Sequence, residues 1–205
     1  KRLEDDDAII EAGVKPYTGP TGSSSNEEQA GDNSPSDQSI ALASKSGGQS
    51  AGKVSTTSAW SPLSAVIRHA EGTSGPKGYT TMFGGRQFTD MSRHPNNPMS
   101  TPWGTQSEAA GAYQFMKGTW DETAGKLGLK DFSVESQEKA GRYLAEGKRG
   151  VDLSKRATNL QEFTSIMDKL APEWASLPAS YKGGKSHYGQ PSKDLNELWE
   201  IYQRN

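Results

Sequence analysis

Aromatic residues are distributed very unevenly along this chain, and their distribution limits what each part can fold into. Of its 5 Trp, 7 Tyr and 5 Phe residues, only Tyr17 precedes Trp60. Residues 19–58 consist mainly of Ser, Gly, Thr, Asn, Asp and Gln. Such a segment buries too little apolar surface to offset the entropy of ordering it, about 1–2 kcal/mol per residue for the backbone. The sequence therefore predicts a flexible, acidic, Ser/Gly-rich tether over residues 1–59 and one compact domain over residues 60–205.

The composition of the whole chain excludes several classes of protein. Because the 205 residues include no cysteine, a disulfide scaffold, a thiolate zinc site and a cysteine nucleophile are excluded. The net charge of −2 supplies no general attraction for nucleic acid, so no nucleic-acid partner is expected. No apolar run reaches the roughly 18 residues that a membrane span needs. The chain begins at Lys1 without a visible secretory signal, which we interpret as a processed product or a fragment.

Apolar residues in the compact part recur at helical spacing. Leu63, Val66 and Ile67 form one stripe of a first helix, with Ser61 predicted as its N-cap and Gly72 as its end. Further helices are predicted over Glu108–Met116, Thr119–Leu127 with a Thr119/Glu122 capping box, Val134–Ala145 with Ser133 as cap, Asn159–Leu170 and Ser192–Tyr202.

One β-hairpin is predicted between the first helix and the others. Two short β-favouring runs, Tyr79–Phe83 and Arg86–Thr89, are joined by Gly84-Gly85. Residues 90–107, with their three prolines, are predicted to be loop. The expected fold class is α+β and mostly α, with short helices around a small hairpin.

Glu71 is the residue whose position best suits acid–base chemistry. A carboxylate in the last turn of a helix faces the negative end of the helix dipole, which disfavours ionisation, and burial in a cleft would raise its pKa further. Those conditions keep a glutamate protonated near neutral pH and ready to donate a proton. From position alone, an exposed helix-end glutamate is the simpler interpretation.

Other side chains indicate binding rather than catalysis. The spacing of His69, His94 and His187 fits no familiar metal-ligand pattern, so neither a metal nor a cofactor is expected. Aromatic ring faces and amide side chains are suited to binding sugar rings and N-acetyl groups. Each aromatic residue could equally be part of the small hydrophobic core, and this second interpretation is preferred for Trp120, Trp174 and Trp199. The residues of these types in or beside glycine-rich loops are Tyr79, Trp103, Tyr113, Gln114, Trp174, Tyr181, Tyr188 and Gln190.

Taken in order, the motifs of residues 60–205 resemble the phage lambda-type endolysin family. No single motif is decisive, but the ordered set is specific and covers essentially the whole compact part. The matching motifs are Ala70–Thr73, Gly78-Tyr79, Phe83–Gly85, Phe88–Pro95, Ala110–Gln114, Leu127–Ser133, Ser136-Gln137, Trp174–Pro178 and Tyr188–Gln190.

This resemblance implies a lysozyme-like fold and cleavage of the β-1,4 bond between N-acetylmuramic acid and N-acetylglucosamine in peptidoglycan. Family members are lytic transglycosylases whose single catalytic carboxylate is the Glu of the Glu-Gly-Thr motif, here Glu71. Tyr79, Gln114 and Tyr188 match positions near the family's cleft and are assigned to substrate binding. The bacterial peptidoglycan glycan strand is thus the expected partner.

Two alternatives stay open at this point. A hydrolytic muramidase of the same fold is one, although the Asp and Thr of the phage muramidase pattern would fall here at Thr80 and Arg86. Asp90 is interpreted as the cap of a loop rather than as a second carboxylate. The other alternative is a non-catalytic glycan-binding module of a virion.

The long segment before the first helix suggests a biological setting. We expect a virion-associated lysin, tethered to phage tail or baseplate proteins through residues 1–59. The alternative is a free endolysin that is released to act on host peptidoglycan in the periplasm.

Overall fold

The computed structural model describes residues 58–102 and 104–205. The tether predicted over residues 1–59 lies outside the described residues except for its last two positions, and so does Trp103; both interpretations stay predictions. None of the helices in the described ranges combines the length and the apolar character that crossing a membrane requires.

Five α-helices are the main regular elements of the part that the structure describes. Short 3₁₀-helices lie at Pro76–Thr80, Phe83–Gly85 and Ser180–Lys182, and a π-helical turn at Leu144–Lys148 continues the third α-helix. The α-helices are α1 (Trp60–Ala70), α2 (Lys117–Leu127), α3 (Val134–Tyr143), α4 (Leu160–Leu170) and α5 (Leu195–Arg204).

Helix α1 is the central element of the core, as its apolar stripe predicts. Leu63, Val66 and Ile67 are completely buried, and α1 packs against α5 and α3. The predicted N-cap at Ser61 is wrong, because the helix begins at Trp60 and already includes Ser61. The buried Ala59 takes the cap position, and its amide donates to the carbonyl of Leu153 at 3.0 Å.

Side-chain caps define the starts of three other helices. The predicted cap Ser133 is confirmed, since its side-chain oxygen accepts the amide of Ser136 at 3.3 Å. Asn159, predicted only as the start of a helical segment, is also a cap and accepts the amide of Glu162 at 2.9 Å. Helix α5 begins at Leu195, later than the predicted Ser192, because Asp194 caps it. Helix α2 begins earlier than predicted, which places Thr119 inside the helix and removes it from a capping role.

The predicted hairpin over 79–89 is wrong as a pair of strands. One antiparallel bridge joins Thr81 to Gln87, and the chain around it forms 3₁₀ turns. The amide of Met82 still donates to Arg86 O at 2.7 Å, but the pairing ends there, because the amide of Phe83 donates to Ala109 O at 2.8 Å. The two-stranded antiparallel sheet is instead β1 (Met99–Ser100) with β2 (Gln106–Ser107), inside the segment predicted to be loop.

The helix predicted over Glu108–Met116 is also wrong. A bridge between Ala110 and Phe115 closes this segment into a turn. Gly111 and Gln114 have φ values of +79° and +47°, which an α-helix does not allow. The amide of Gly111 donates to Thr81 O at 2.8 Å, so the turn is attached to the segment after the first helix. We call residues 110–115 the central turn.

Aromatic side chains fill the space between the central turn and helices α2 and α3. Trp120 and Phe132 meet edge to face with ring centroids 4.4 Å apart, and Phe115 contacts both rings. All three side chains are buried. The aromatic residues from Trp60 onward therefore pack largely into one core, as their uneven distribution along the chain predicts.

Candidate active site

Glu71 stands at the C-terminus of α1, directly after its last helical residue. Its amide completes the helix by donating to Ile67 O at 2.9 Å, and Gly72 then reverses the chain with a φ of +71°. Such a left-handed position after a helix favours glycine. The Glu-Gly-Thr motif is thus a helix end followed by a tight turn, which fixes the direction in which the Glu71 side chain leaves the helix.

The Glu71 carboxyl is surrounded by protein although part of the residue reaches the surface. Burial raises its pKa from an ordinary 4.5 to about 7. Ser176 opposes that shift, because its hydroxyl donates to Glu71 Oε1 at 2.5 Å and its backbone also hydrogen-bonds the carboxyl. Desolvation is the larger effect, so a substantial fraction of Glu71 is protonated at neutral pH and able to donate that proton.

The turn that follows Glu71 is attached to the central turn. The side chain of Thr73 is buried, and its hydroxyl donates to Ala112 O at 2.5 Å. A Cβ on Gly78 would lie 1.8 Å from the carbonyl oxygen of Thr73, so only glycine fits at this close approach. The Glu71 turn is therefore held from both sides by backbone contacts that leave little room to move.

Arg68 connects this turn to Tyr79. One guanidinium nitrogen, Nη2, donates to the carbonyls of Thr73 and Gly75 at 3.3 and 2.5 Å. The other, Nη1, donates to the Tyr79 hydroxyl at 3.1 Å, and the guanidinium lies over the Tyr79 ring at 4.4 Å from its centroid.

Glu138 of α3 receives three hydrogen bonds from aromatic side chains. The hydroxyls of Tyr79 and Tyr113 each donate to its Oε1 at 2.7 Å, and the indole of Trp60 donates to its Oε2 at 2.9 Å. Since the Tyr113 hydroxyl proton is directed to Glu138, Ser64 donates in turn to the Tyr113 oxygen at 2.8 Å. We call these residues the Glu138 network.

A second loop brings Ser176 to Glu71. The indole of Trp174 donates to Tyr113 O at 3.1 Å, so the central turn supports the start of this loop. The amide of Lys193 donates to Ser176 O at 2.9 Å and holds its other side. Ser176 thus reaches the carboxyl from a loop that is anchored at two points.

The predicted binding residues lie around the same turns. Tyr79 directs its hydroxyl into the Glu138 network. Gln114 is half-buried, and its amide donates to Thr81 O and Gly111 O at 3.1 and 3.0 Å. Tyr188 is exposed, and its hydroxyl donates to Pro172 O at 2.8 Å, at the start of the loop that carries Ser176. All three are therefore connected to the elements that hold Glu71.

The other aromatic candidates divide between core and surface. Tyr113 and Trp174 are 1% and 3% exposed, so both are core residues that offer no ring face to a sugar. Tyr181 is exposed, while Gln190 is half-buried at a turn. The burial of Tyr113 contradicts its interpretation as a sugar-binding residue. The burial of Trp174 agrees with its preferred interpretation as a core residue.

The three histidines lie in different environments. His69 bonds Glu197 of α5 at 2.6 Å, and His187 bonds the Tyr181 hydroxyl at 2.9 Å. His94 is buried against Phe115 O, and burial lowers its pKa. Within the described ranges no cluster of three potential metal ligands exists. Asp90 is exposed and accepts the amide of Ser92 at 2.9 Å, the arrangement of a loop cap.

Sequence reasoning missed two residues of this arrangement, Ser176 and Glu138. Ser176 lies within the Trp174–Pro178 motif, and Glu138 directly follows the Ser136-Gln137 motif, so the motifs marked the right segments. Nothing in the local sequence indicates that their side chains reach Glu71 and Tyr79, which lie 105 and 59 positions away along the chain.

A helical domain with a small sheet and a half-buried glutamic acid at the end of its first helix defines a lysozyme-like glycosidase. The family described as Endolysin matches residues 62–205, and the chain belongs to that family.

Individual relatives agree with this membership. The chain is 32% identical to the endolysin of Escherichia phage lambda over 110 residues, which are 54% of this chain and 67% of that protein. The solved structure of bacteriophage lambda lysozyme in complex with a chitohexasaccharide is similar with a TM-score of 0.61 and 27% identity, covering 71% of this chain and 92% of that one. A second lambda lysozyme structure shares the fold with a TM-score of 0.60 and 24% identity, over the same 71% and 92%. The expected lysozyme-like fold is thereby confirmed.

Proposed function

We propose that this chain is a peptidoglycan lytic transglycosylase in which Glu71 is the only catalytic carboxyl group. In the first step, the bond between C1 of N-acetylmuramic acid and O4 of N-acetylglucosamine breaks, and Glu71 gives its proton to the departing O4. In the second step, the C6 hydroxyl oxygen of the same muramyl residue bonds to C1 and returns its proton to Glu71. A 1,6-anhydro end forms, and no water is consumed.

The burial of the Glu71 carboxyl, with Ser176 as its hydrogen-bond donor, is the observation that carries this proposal. A group whose pKa is about 7 can both donate and accept a proton near neutral pH, which the two steps require in turn. The Ser176 hydroxyl stabilises the carboxylate that exists between the steps, because it already donates to Oε1.

The surroundings of Asp90 favour this mechanism over hydrolysis. Glycoside hydrolysis ordinarily needs a second carboxylate as nucleophile or as base for water. Asp90 is exposed and engaged with Ser92, an interaction that lowers its pKa. A group of that kind serves as a loop cap, whereas intramolecular attack by the C6 hydroxyl needs no second carboxylate.

Tyr79, Gln114 and Tyr188 are proposed to bind and orient the glycan. The Tyr79 hydroxyl and the Gln114 amide already hydrogen-bond protein groups, so their orientation is fixed before substrate arrives. Tyr188 presents an exposed aromatic ring beside the loop of Ser176, where a sugar ring could stack.

Product analysis tests the reaction. Purified peptidoglycan is digested with the chain, and the muropeptides are identified by mass spectrometry without prior chemical reduction. We expect 1,6-anhydro-muramyl ends, which are lighter than reducing ends by one water. Reducing ends would replace this proposal with a hydrolytic muramidase, and an undigested substrate would replace it with a glycan-binding module.

A matched pair of variants tests the number of carboxyl groups. Glu71→Gln is expected to abolish product formation, whereas Asp90→Asn is expected to retain it within about twofold, because Asn also accepts the Ser92 amide. Loss of activity in Asp90→Asn with a native circular dichroism spectrum would show that a second carboxylate takes part.

The biological setting is a separate proposal. We infer that residues 1–59 attach the enzyme to phage tail or baseplate proteins, because they form a long polar segment before the catalytic domain. Mass spectrometry of purified particles should then detect the chain. Its absence from particles and presence in the lysate would identify an endolysin that is released to reach periplasmic peptidoglycan.

A further inference from the structure

A loop rich in lysine and tyrosine adjoins the segment that holds Glu71. We call residues 179–190 the Tyr181 loop. Near its end, the Tyr188 hydroxyl donates to Pro172 O at 2.8 Å, and just beyond it Lys193 bonds Ser176 through the backbone. A ligand on this loop would therefore lie beside the loop that positions the acid.

The Tyr181 loop is closed by its own backbone. The amide of Ala179 donates to Lys185 O at 2.8 Å, and the amide of Gly184 returns to Ala179 O at 3.0 Å. Ser186 is completely buried and fixes the second half through a bond to Gln190 O at 2.9 Å. A surface held in this way is preorganised, so little conformational entropy is lost when a ligand binds.

Two aromatic rings on this loop face solvent. Tyr181 is 52% exposed and Tyr188 is 38% exposed, and in the described part of the chain they are the aromatic residues with large exposed surfaces. The Tyr181 hydroxyl bonds His187 Nδ1 at 2.9 Å, and the His187 ring packs edge-on against Tyr188 at 4.9 Å. The Tyr181 hydroxyl is thus engaged, while the exposed ring of Tyr181 can stack on the C–H face of a sugar.

The charged side chains that this region itself carries are all positive. Residues 174–193 contain three lysines, Lys182, Lys185 and Lys193, and neither Asp nor Glu. All three lysines are exposed, and no ion pair involves them among the described residues.

Acidic groups on the neighbouring elements have other partners. Asp168 of α4 accepts the amide and hydroxyl of Ser180, both at 2.6 Å. Glu173 pairs with Lys148 and Arg149 at 3.2 and 2.9 Å. Glu173 is thus paired with cations, whereas the neutral Ser180 does not cancel the charge of Asp168, which acts on Tyr181. Lys182 and Lys185, which form no ion pair among the described residues, are the groups available to an anionic ligand.

We propose that the Tyr181 loop is a subsite for an anionic muramyl peptide, in which Tyr181 stacks on the sugar ring while Lys182 and Lys185 attract carboxylates of the peptide stem. This inference rests on the proposed action on peptidoglycan and adds a preference for glycan that carries its peptides. A neutral chitin oligosaccharide has sugar rings but no carboxylates, so we expect it to contact Tyr181 without engaging Lys182 and Lys185.

Binding measurements on two ligands test the subsite separately from cleavage. The full chain carrying Glu71→Gln is titrated calorimetrically with chitotetraose and with a soluble disaccharide-peptide dimer from peptidoglycan. Adding Tyr181→Ala should weaken binding of both ligands about tenfold, because the stacking ring is lost. Tyr181→Phe, which keeps the ring, should bind both within about twofold.

Charge variants test the other half. Lys182→Gln with Lys185→Gln should weaken binding of the muropeptide about fivefold at low salt and leave chitotetraose unchanged. The loss of muropeptide affinity in the lysine variant should become small near 0.5 M salt, where the Debye length is only about 4 Å. Lys130→Gln, an exposed lysine after α2, is the matched control and should alter neither ligand.

The outcomes separate this inference from the proposed function. Unchanged affinity for both ligands in Tyr181→Ala would overturn the subsite, even if the parent chain degrades peptidoglycan. Equal losses for both ligands in the lysine variant would overturn the preference for the peptide stem. If the parent chain cleaves nothing but shows the expected pattern, the subsite stands and the transglycosylase proposal fails.

Discussion

Glu71 and Glu138 are both half-buried glutamates, but their hydrogen-bond donors differ. Glu71 has Ser176 as its partner, and burial raises its pKa to about 7. Glu138 receives hydrogen bonds from two tyrosines and one tryptophan. A carboxyl group that accepts few hydrogen bonds can gain and lose a proton at little cost in free energy. A carboxyl group that accepts hydrogen bonds from three fixed donors is better suited to stabilising the fold. The contrast supports the catalytic role proposed for Glu71 and a structural role for Glu138.

The tyrosines around Glu138 agree with this division. Burial and the interaction with Glu138 raise the pKa of Tyr79 to about 12, and the same causes raise the pKa of Tyr113 further. Both hydroxyls therefore keep their protons and act as lasting donors. Through Arg68, the Glu138 network reaches the turn that follows Glu71, so the architectural glutamate supports the chemical one.

The largest expected effect comes from removing the acid. Glu71→Gln should lower peptidoglycan degradation by about 10²–10⁴-fold, the usual contribution of a general acid. The isosteric amide should leave the circular dichroism spectrum unchanged. Clearing of a cell-wall suspension measures the activity, and a loss of less than tenfold would move the acid to another residue.

Removing the charge of Glu138 should act mainly on stability. In Glu138→Gln, the amide oxygen can still accept from Tyr79 and Tyr113, but the amide nitrogen then faces the Trp60 N–H, donor against donor. We expect a loss of about 2–4 kcal/mol in the free energy of unfolding, measured in urea.

The matched control for this variant lies on the same helix. Glu135→Gln removes an exposed carboxylate that pairs with Lys139, and it should cost less than about 0.5 kcal/mol. Equal losses in the two variants would mean that the three aromatic donors contribute nothing special at Glu138.

The pH dependence of stability sharpens the comparison at Glu71. Because its pKa is about 7 when folded and near 4.5 when unfolded, the folded chain binds more protons between these values. Stability from this group is fully present below about pH 4.5 and is lost as pH rises through about 7. Relative to wild type, Glu71→Gln should therefore gain about 1–3 kcal/mol between pH 4.5 and 8.

Parallel urea titrations of the two proteins check this expectation. A difference in the free energy of unfolding that stays constant across this pH range would contradict the raised pKa of Glu71.

The smallest effect is expected at Ser176. Its hydroxyl favours the ionised form of Glu71, so Ser176→Ala should raise the pKa of Glu71 further and extend the alkaline limb of the activity profile to higher pH. Ser165→Ala, which removes an exposed hydroxyl on α4, is the control and should leave the profile in place. A shift of the limb to lower pH would reverse the role given to Ser176.

Local signals in the sequence predicted those parts of the fold that local interactions stabilise. The apolar spacing of α4 and the Ser133 cap of α3 each lie within one segment, and the structure confirms both. The two failures have a common cause. Besides their local bonds, the two segments pair with each other across the chain, through Phe83 N to Ala109 O and Gly111 N to Thr81 O, and neither local pattern specifies that pairing.

The sequence by itself determined where the aromatic core begins, most of the helices and the Glu-Gly-Thr motif that carries the acid. Only the tertiary structure decided how strongly that acid holds its proton. The pKa of Glu71 depends on burial and on Ser176, 105 positions away, just as the Glu138 network depends on residues up to 78 positions apart. Desolvation and long-range hydrogen bonds arise only when distant segments pack together, and no local pattern specifies them.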